Sequence, residues 1–423
     1  MRVLAGQRDP VRPEDVSLET LAKLFYLGAA VRPDAAVQAL APLSLERLEA
    51  MGVLRSGEAS LEIVPLGGLL IASDPERETH RADRVPGPGK ASKALVAMTL
   101  RSPIARALDM GTGSGVQALL LSRHADEVVA TDVNPRALDF AAFNAALNDI
   151  ETIDFRSGSL FEPVAGEQFD LIVSNPPYVV SPDNDLLFRD GGLPGDSFSE
   201  AVVRQAGTLL REGGFAQLMV NWVIPPGQPW SAPLRAWVEG TGCDAVLLRM
   251  SNWGFFEYAT SWNSFLRVDA DAFGAALERW VEHFRGHGIE RIGGGFVVLR
   301  RRAGGDNWLL PLETPNPRPG ADVHLRRLFA AQDFLRDRDD ATLLDEQLVP
   351  VADHVVEVAL RLGSVQSRHV SLRAGLGFRA ELDEPMAELL SRLEPGRSLR
   401  DAGGTAAPKL ARRLLELGFI EPS

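Results

Sequence analysis

The chain has 423 residues, enough to bury at least one large core and to hold more than one domain. Its 45% hydrophobic and 24% charged residues are ordinary for a soluble globular protein. A formal charge of -13 argues against broad attraction to phosphate backbones, and the single cysteine, Cys243, excludes an intramolecular disulfide and a cysteine-cluster metal site.

The opening run Met1 to Gly6 lacks the long apolar stretch of a signal peptide, and no segment is apolar enough to span a bilayer. A cytoplasmic protein with no membrane contact is expected. Residues 1–80 read as a small, mainly helical module. Ser17 is placed to cap a helix through Leu18, Leu21, Leu24 and Phe25. Two short helical patterns follow at Ala35 to Leu40 and Leu45 to Met51. The runs Leu61 to Pro65 and Leu69 to Ala72 predict a hairpin. Helices followed by a hairpin are winged-helix-like in architecture, and a packing or lid module without a nucleic-acid role fits equally.

Asp74 to Lys90, rich in charge, proline and glycine, predicts a linker or ordered loop. A helix over Ala91 to Thr99 then opens a second domain, residues 81–312. Within it apolar strands alternate with helices. Strands are expected at Ala107 to Asp109, Glu127 to Thr131, Thr152 to Arg156, Phe169 to Ser174, Gly214 to Asn221, Ala245 to Met250 and Gly295 to Arg300. Helices are expected at Val116 to Arg123, Pro135 to Leu147, Ser199 to Leu210 and Ala272 to Phe284. The fold class is α/β, a Rossmann-like, mostly parallel sheet covered on both faces, with mainly helical flanking domains. Pro311, Pro315, Pro317 and Pro319 mark a boundary. Residues 313–423 form a C-terminal helical or α+β module whose clearest helices are Glu384 to Leu393 and Pro408 to Leu417. The pattern Leu414 to Ile420 echoes Leu45 to Leu54, which fits related modules or common helix-glycine-strand punctuation.

Three segments carry chemistry. Asp109 ends the first strand, and Gly111, Gly113 and Gly115 follow, with Thr112 between the first two. Glycine permits tight turning and close backbone approach, and the next helix presents unpaired amides. Such a turn suits a dinucleotide pyrophosphate or the amino-acid and ribose portion of S-adenosylmethionine, and the spacing alone does not choose. The second strand ends at Asp132-Val133, where a carboxylate is placed to accept both ribose hydroxyls of an adenosine. Beyond the third strand, Ser159 is placed to reach an adenine edge and Leu160 or Phe161 to line its face. Phe161 reads equally as core.

Asn175-Pro176-Pro177-Tyr178 closes the fourth strand. The prolines restrict the backbone and remove two amide donors. The Asn175 side-chain oxygen and the Pro176 carbonyl are placed to accept both hydrogens of a planar NH2, and Tyr178 to stack on its plane. Orientation of the nitrogen lone pair then supplies much of the catalysis, with no strong general base required.

Residues 106 to about 220 resemble the class I S-adenosylmethionine-dependent N-methyltransferases of the Asn-Pro-Pro-Tyr branch. The resemblance rests on Asp109 to Gly115, on Asp132 and on Asn175-Pro176-Pro177-Tyr178. Gly158-Ser159-Leu160-Phe161 resembles the family's Gly-Asp-Leu-Phe element, with Ser159 replacing the acid. The combination is similar to release-factor glutamine methyltransferases and to small-domain ribosomal RNA guanine N2-methyltransferases. It implies S-adenosylmethionine as cofactor, S-adenosylhomocysteine as product and no metal. The implied cofactor residues are Asp109, Gly111, Thr112, Gly113, Gly115, Asp132, Val133, Ser159, Leu160 and Asn175. Asn175, Pro176, Pro177 and Tyr178 are the implied catalytic set. Expected partners are a protein or structured RNA substrate, with a small metabolite as the lesser alternative.

Other readings stay open at this level. One is a cofactor-sensing, nucleic-acid-binding regulator; another is an NAD enzyme. Arg300, Arg301 and Arg302, with Arg291, form a basic cluster that reads as solvated surface or an RNA track. The glycine-rich segment Phe188 to Asp196 suits a movable substrate loop. Asn221, Trp222, Asn252, Trp253, Phe255 and Phe256 are candidates to line the acceptor site, with Trp253 and Phe256 reading equally as domain-interface core. His283 and His287 share a helical face, without a third metal ligand.

Overall fold

Alternation of apolar strands and helices builds an eight-stranded sheet in the structure, a computed structural model. It describes residues 13–78, 81–302, 304–315, 317–361 and 364–423, so the expectation about Met1 to Gly6 lies outside the described residues. The strands are β1 (Ile104–Met110), β2 (Ala125–Asp132), β3 (Ile153–Ser157), β4 (Phe169–Ser174), β5 (Leu210–Ile224), β6 (Cys243–Gly254), β7 (Arg291–Arg301) and β8 (Leu309–Glu313). Their spatial order is β3-β2-β1-β4-β5-β7-β6-β8. Only β7 runs against its neighbours. Strand order reverses at β1, which lies between β2 and β4. In open α/β sheets that switch point opens a crevice at the carboxyl ends of the strands.

The expected α/β class, with its mostly parallel Rossmann-like sheet, is therefore what the chain adopts. The near-continuous apolar runs Leu171-Ile172-Val173 and Ala245 to Leu248 are buried, as strands covered on both faces must be. Cys243 is buried at the start of β6, and burial pushes its thiol up. Helix Pro135–Leu147 and strand Phe169–Ser174 have the expected bounds. The prolines past Asn307 do not end the sheet. Residues Leu309–Glu313 pair in parallel with β6 and make its edge, with Pro311 opposite Leu247. An edge strand tolerates proline because one side of its ladder has no partner strand.

A glycine run in β7 serves packing. A Cβ on Gly293 would fall 2.3 Å from the Trp222 ring, and one on Gly294 would fall 2.6 Å from Trp253. A Cβ on Gly295 would lie 1.8 Å from the Leu248 carbonyl oxygen, close to the bulge between Arg249 and Ser251. Bare backbone lets two tryptophans cross the strand.

Ahead of the sheet, helices Pro33–Leu40 and Leu45–Ala50 precede the hairpin Glu62–Leu66 and Leu69–Ser73. Asparagine side chains then stand in for a neighbouring strand. Asn144 accepts from Ala72 N at 2.7 Å and donates to Ala72 O at 2.8 Å. Asn148 repeats the pattern on Leu70, at 2.9 and 2.8 Å. Asn144 Nδ2 also reaches Ser114 O at 2.8 Å, tying the hairpin to the glycine loop.

Past β8 the two expected helices form at Glu384–Arg392 and Ala407–Glu416, and the region adds a longer helix and strands that were not expected. Helix Ala321–Arg336 packs its Leu325, Leu328 and Phe329 into the same core as Val246, Leu248 and Phe296 of the sheet. A three-stranded antiparallel sheet, His354–Arg361, Ser364–Leu372 and Arg379–Glu381, follows. Both halves of the sequence echo share a local form: each helix is followed by a glycine with positive φ, Gly52 at 74° and Gly418 at 69°, and then a short strand.

His324 holds this region together. Its Nε2 faces Leu417 O at 2.8 Å, and its Nδ1 accepts from Leu376 N at 3.2 Å, which requires a neutral ring. Burial lowers its pKa to about 4 from an ordinary 6.5. The unfolded chain takes up the proton first, so the stabilisation is complete above pH 6.5 and is lost as pH falls toward 4. The span corresponds to about 3 kcal/mol. Melting curves between pH 7 and 4.5 are expected to show a steeper acid loss for the wild type than for His324→Gln. Parallel curves would remove this role.

Candidate active site

The ends of β1 and β4 are flush, with Met110 opposite Ser174. Ser174 Oγ donates to Met110 O at 2.7 Å and locks that register. Gly111 and Asn175, the next residue in each chain segment, therefore emerge side by side. A Cβ on Gly111 would sit 3.8 Å from Pro176 Cα. Gly111 (φ 72°) and Gly113 (φ 54°) take left-handed turns that L side chains rarely adopt. Gly111 N and Thr112 N both donate to Thr131 O at 2.9 Å, joining the loop to the end of β2.

Two carboxylates organise the loop. Asp109 is 1% exposed, and its Oδ2 accepts from Thr112 Oγ1 at 2.7 Å and from Ala118 N at 3.0 Å. Burial pushes its carboxyl up to about 7. Asp132 Oδ2 accepts from Gly113 N at 2.9 Å, and Oδ1 accepts from Asn134 N at 2.9 Å. Burial also raises the Asp132 carboxyl above its ordinary value. Each Asp132 oxygen keeps acceptor capacity beyond its main-chain amide.

These groups line a cavity of about 360 Å³. Asp109, Gly111, Thr112, Gly113, Asp132, Val133, Ser159, Leu160, Asn175 and Pro177 all face it, so ten of the residues expected from sequence converge. Leu160 does so with a φ of 48°, which is uncommon for a branched side chain. Gly115, Pro176 and Tyr178 are not among the lining residues. Gly115 lies behind the loop, where an added Cβ would come 3.1 Å from Ala141 Cα. Its expected cofactor contact is thus a close helix–loop packing. Pro176 is buried, and Tyr178 packs edge-on against Trp262 with ring centroids 6.3 Å apart. Burial pushes the Tyr178 phenol up to about 12, so it stays protonated at neutral pH. Phe161 belongs to the core.

Among the described residues, four buried polar atoms on lining residues lack a partner: Arg84 Nε, Gln117 Oε1, Thr131 Oγ1 and Asn175 Oδ1. Asn175 Nδ2 is turned toward Ser92 Oγ at 3.4 Å, a long contact. Buried polar groups are otherwise almost always paired, so these atoms mark where a polar ligand is received. The cavity size lies within the roughly 300–1,000 Å³ usual for small-molecule sites. Glycine turns, a carboxylate at the end of β2 and unpaired polar atoms fit an adenosine-bearing amino acid such as S-adenosylmethionine.

The Methyltransferase small domain family model matches residues 87–228. This segment is similar to that family. Release factor glutamine methyltransferase of Xylella fastidiosa (strain Temecula1) is 40% identical over 129 residues, covering 28% of this chain and 47% of the relative. The enzyme of the same name from Geobacter sulfurreducens is 39% identical over 136 residues, covering 29% and 46%. The chain thus spans about half the length of the curated relatives it matches. A ribosomal protein L11 methylase from Lactobacillus delbrueckii subsp. bulgaricus is 18% identical, covering 50% of this chain and 77% of that one, with a TM-score of 0.30.

Two segments roof this cavity. One is Arg84 to Gly87, just ahead of or at the start of the family match; the other runs through Leu187, Phe188 and Asp190 to Gly192. Leu187 N donates to Ala82 O at 3.1 Å, and the Arg84 guanidinium lies over the Phe188 ring at 5.9 Å. The second segment is anchored from below. Buried Arg189 pairs with Asp190 at 2.7 Å and lies over Trp280, while Asp183 accepts from Arg279 and Trp280 at 2.8 and 2.7 Å. Sequence reasoning placed a movable loop here but missed this anchor, which joins distant residues.

Several candidates for an acceptor wall have other tasks. Asn221 Nδ2 donates to Tyr258 Oη at 2.7 Å, and Trp222 is buried with its Nε1 on Trp230 O. Trp253 and Phe255 pack with Tyr258 and Phe284, whereas Phe256 is exposed. The basic cluster is paired: Arg300 and Arg302 meet buried Asp244 at 2.7 Å, Arg300 meets Asp333 at 2.6 Å, and Arg301 donates to Thr241 O. Arg291 donates to Asn252. His283 and His287 have ring centroids 4.3 Å apart, and among the described residues no group of three or more His, Cys, Asp or Glu could hold a metal ion. No described helix is long and apolar enough to cross a membrane.

Proposed function

We propose that this chain is an S-adenosylmethionine-dependent N-methyltransferase acting on a planar amide nitrogen, with a protein glutamine side chain as the favoured acceptor. The observation that carries this reading is the unpartnered Asn175 Oδ1, buried at the end of β4 beside the glycine loop. The names of the relatives support glutamine as the acceptor.

When bound, S-adenosylmethionine supplies an electrophilic methyl group. Asp132 holds the ribose hydroxyls, the Gly111 to Gly113 turn receives the amino-acid portion, and Val133, Ser159 and Leu160 border the adenine. Asn175 Oδ1 and the Pro176 carbonyl each accept one hydrogen of the acceptor NH2. The nitrogen lone pair, otherwise spread into the amide, is then aimed along the transfer line. Pro176 and Pro177 hold the two acceptor oxygens on a stiff turn. Tyr178 shapes the wall behind that turn. The division into residues 1–80, 81–312 and 313–423, and a cytoplasmic setting, belong to the same reading.

An exocyclic amine on an RNA base presents the same planar NH2. The arginine cluster offers it little, since Asp244 and Asp333 already occupy those guanidinium groups. Incubation with methyl-labelled S-adenosylmethionine and fractionated protein, RNA and small molecules tests the assignment. Label on a glutamine amide is the expected outcome. Label confined to RNA or to a metabolite overturns the acceptor class, and no label despite donor binding overturns the activity.

A further inference from the structure

Four side-chain amides line the cavity, Gln117, Asn134, Asn175 and Asn184; two of them carry a buried oxygen without a partner among the described residues, and of these only Asn175 has a task in the reading above. The other is Gln117, on the short helix Val116–Leu121, whose remaining residues are Val, Ala and Leu. A glutamine 5% exposed in such an apolar helix is out of place unless its amide is used. Its Nε2 donates to Ser92 O at 3.1 Å. A main-chain carbonyl only accepts, so this contact fixes which end of the amide is which. Oε1, at the other end, is buried and has no partner among the described residues.

Whatever meets Gln117 Oε1 must donate hydrogen. A carboxylate is excluded, because it would set acceptor against acceptor. A macromolecular acceptor approaches from the surface, while this oxygen is enclosed on the first turn after the donor loop. Asp109 and Asp132 line the same cavity and favour a cation there. We propose that Gln117 Oε1 accepts from the α-ammonium group of the bound methyl donor, so that Gln117 selects a donor with an intact amino-acid end. This rests on the donor reading above. Ser92 is the positioning residue: its carbonyl holds the Gln117 amide and its hydroxyl faces the Asn175 amide. One residue of helix Lys90–Met98 thus relates the donor tail to the transfer site.

Calorimetry on the full chain with S-adenosylhomocysteine and its desamino analogue tests this. The two ligands differ only at the α-amino group. The wild type is expected to prefer S-adenosylhomocysteine about tenfold, the effect of one hydrogen bond to a charged group. Gln117→Leu should erase that preference by weakening S-adenosylhomocysteine alone. Gln117→Met, also without an acceptor, carries the same expectation should the leucine variant fail to fold. Equal weakening of both ligands, a preference that survives substitution, or no preference in the wild type overturns the proposal while the donor reading stands. A wild type that binds neither ligand overturns both.

Discussion

Asn175→Ala is expected to leave affinity for S-adenosylhomocysteine within about twofold and to lower methyl transfer by about 100- to 1,000-fold, as losing one preorganised polar group at a reaction centre does. The asymmetry follows from where the amide sits. Its nitrogen turns to Ser92 Oγ, while its oxygen is buried without a partner. Alanine therefore removes an acceptor for the incoming nitrogen and leaves the donor loop's own hydrogen bonds intact. Asn175→Asp keeps the shape and an acceptor oxygen but adds charge, so it should recover part of the rate. Single-turnover labelling of the identified acceptor, beside calorimetry with the product, separates the two effects. Equal losses in binding and turnover would show that Asn175 holds the donor rather than the acceptor.

Asp132→Ala carries the second large effect, on binding. A carboxylate accepting two ribose hydroxyls makes two charge-assisted hydrogen bonds, and their loss should weaken S-adenosylhomocysteine roughly 100-fold. Part of this is indirect. Asp132 also holds Gly113 N and Asn134 N, so alanine loosens the loop as well as the ribose contact. Asp132→Asn, which keeps one acceptor oxygen, should lie between the two. Adenine alone separates the contributions, because it lacks the ribose: its affinity should fall much less than that of the full product. Unchanged product affinity in Asp132→Ala would end the ribose assignment.

The parallel strands were legible in the sequence because their apolar runs are local and are interrupted by helices of regular spacing. The cavity floor was legible for the same reason: strand ends, glycine turns and the Asn175 turn follow one another along the chain. What escaped depends on partners far away in sequence. Pro311 marks a boundary on local chemistry, yet it sits in an edge strand whose register only β6 supplies. Arg300 and Arg302 read as a basic patch until Asp244, from the neighbouring strand, and Asp333, from a later helix, neutralise them. Trp222 and Trp253 look like ligand platforms until the β7 glycines leave room for their rings. Gln117 was not singled out in the sequence, because its orientation needed the carbonyl of Ser92.

The roof extends past the segment that resembles a known family. Likeness to the Methyltransferase small domain begins at residue 87, while Arg84, Val85 and Pro86 already line the cavity. Val85 N is held by buried Asp74, which also pairs with Arg136 of the helix after β2. A fragment trimmed to the recognisable domain would therefore lose part of the chamber wall together with the strut that sets it. Ancestry and enclosure have different borders in this chain.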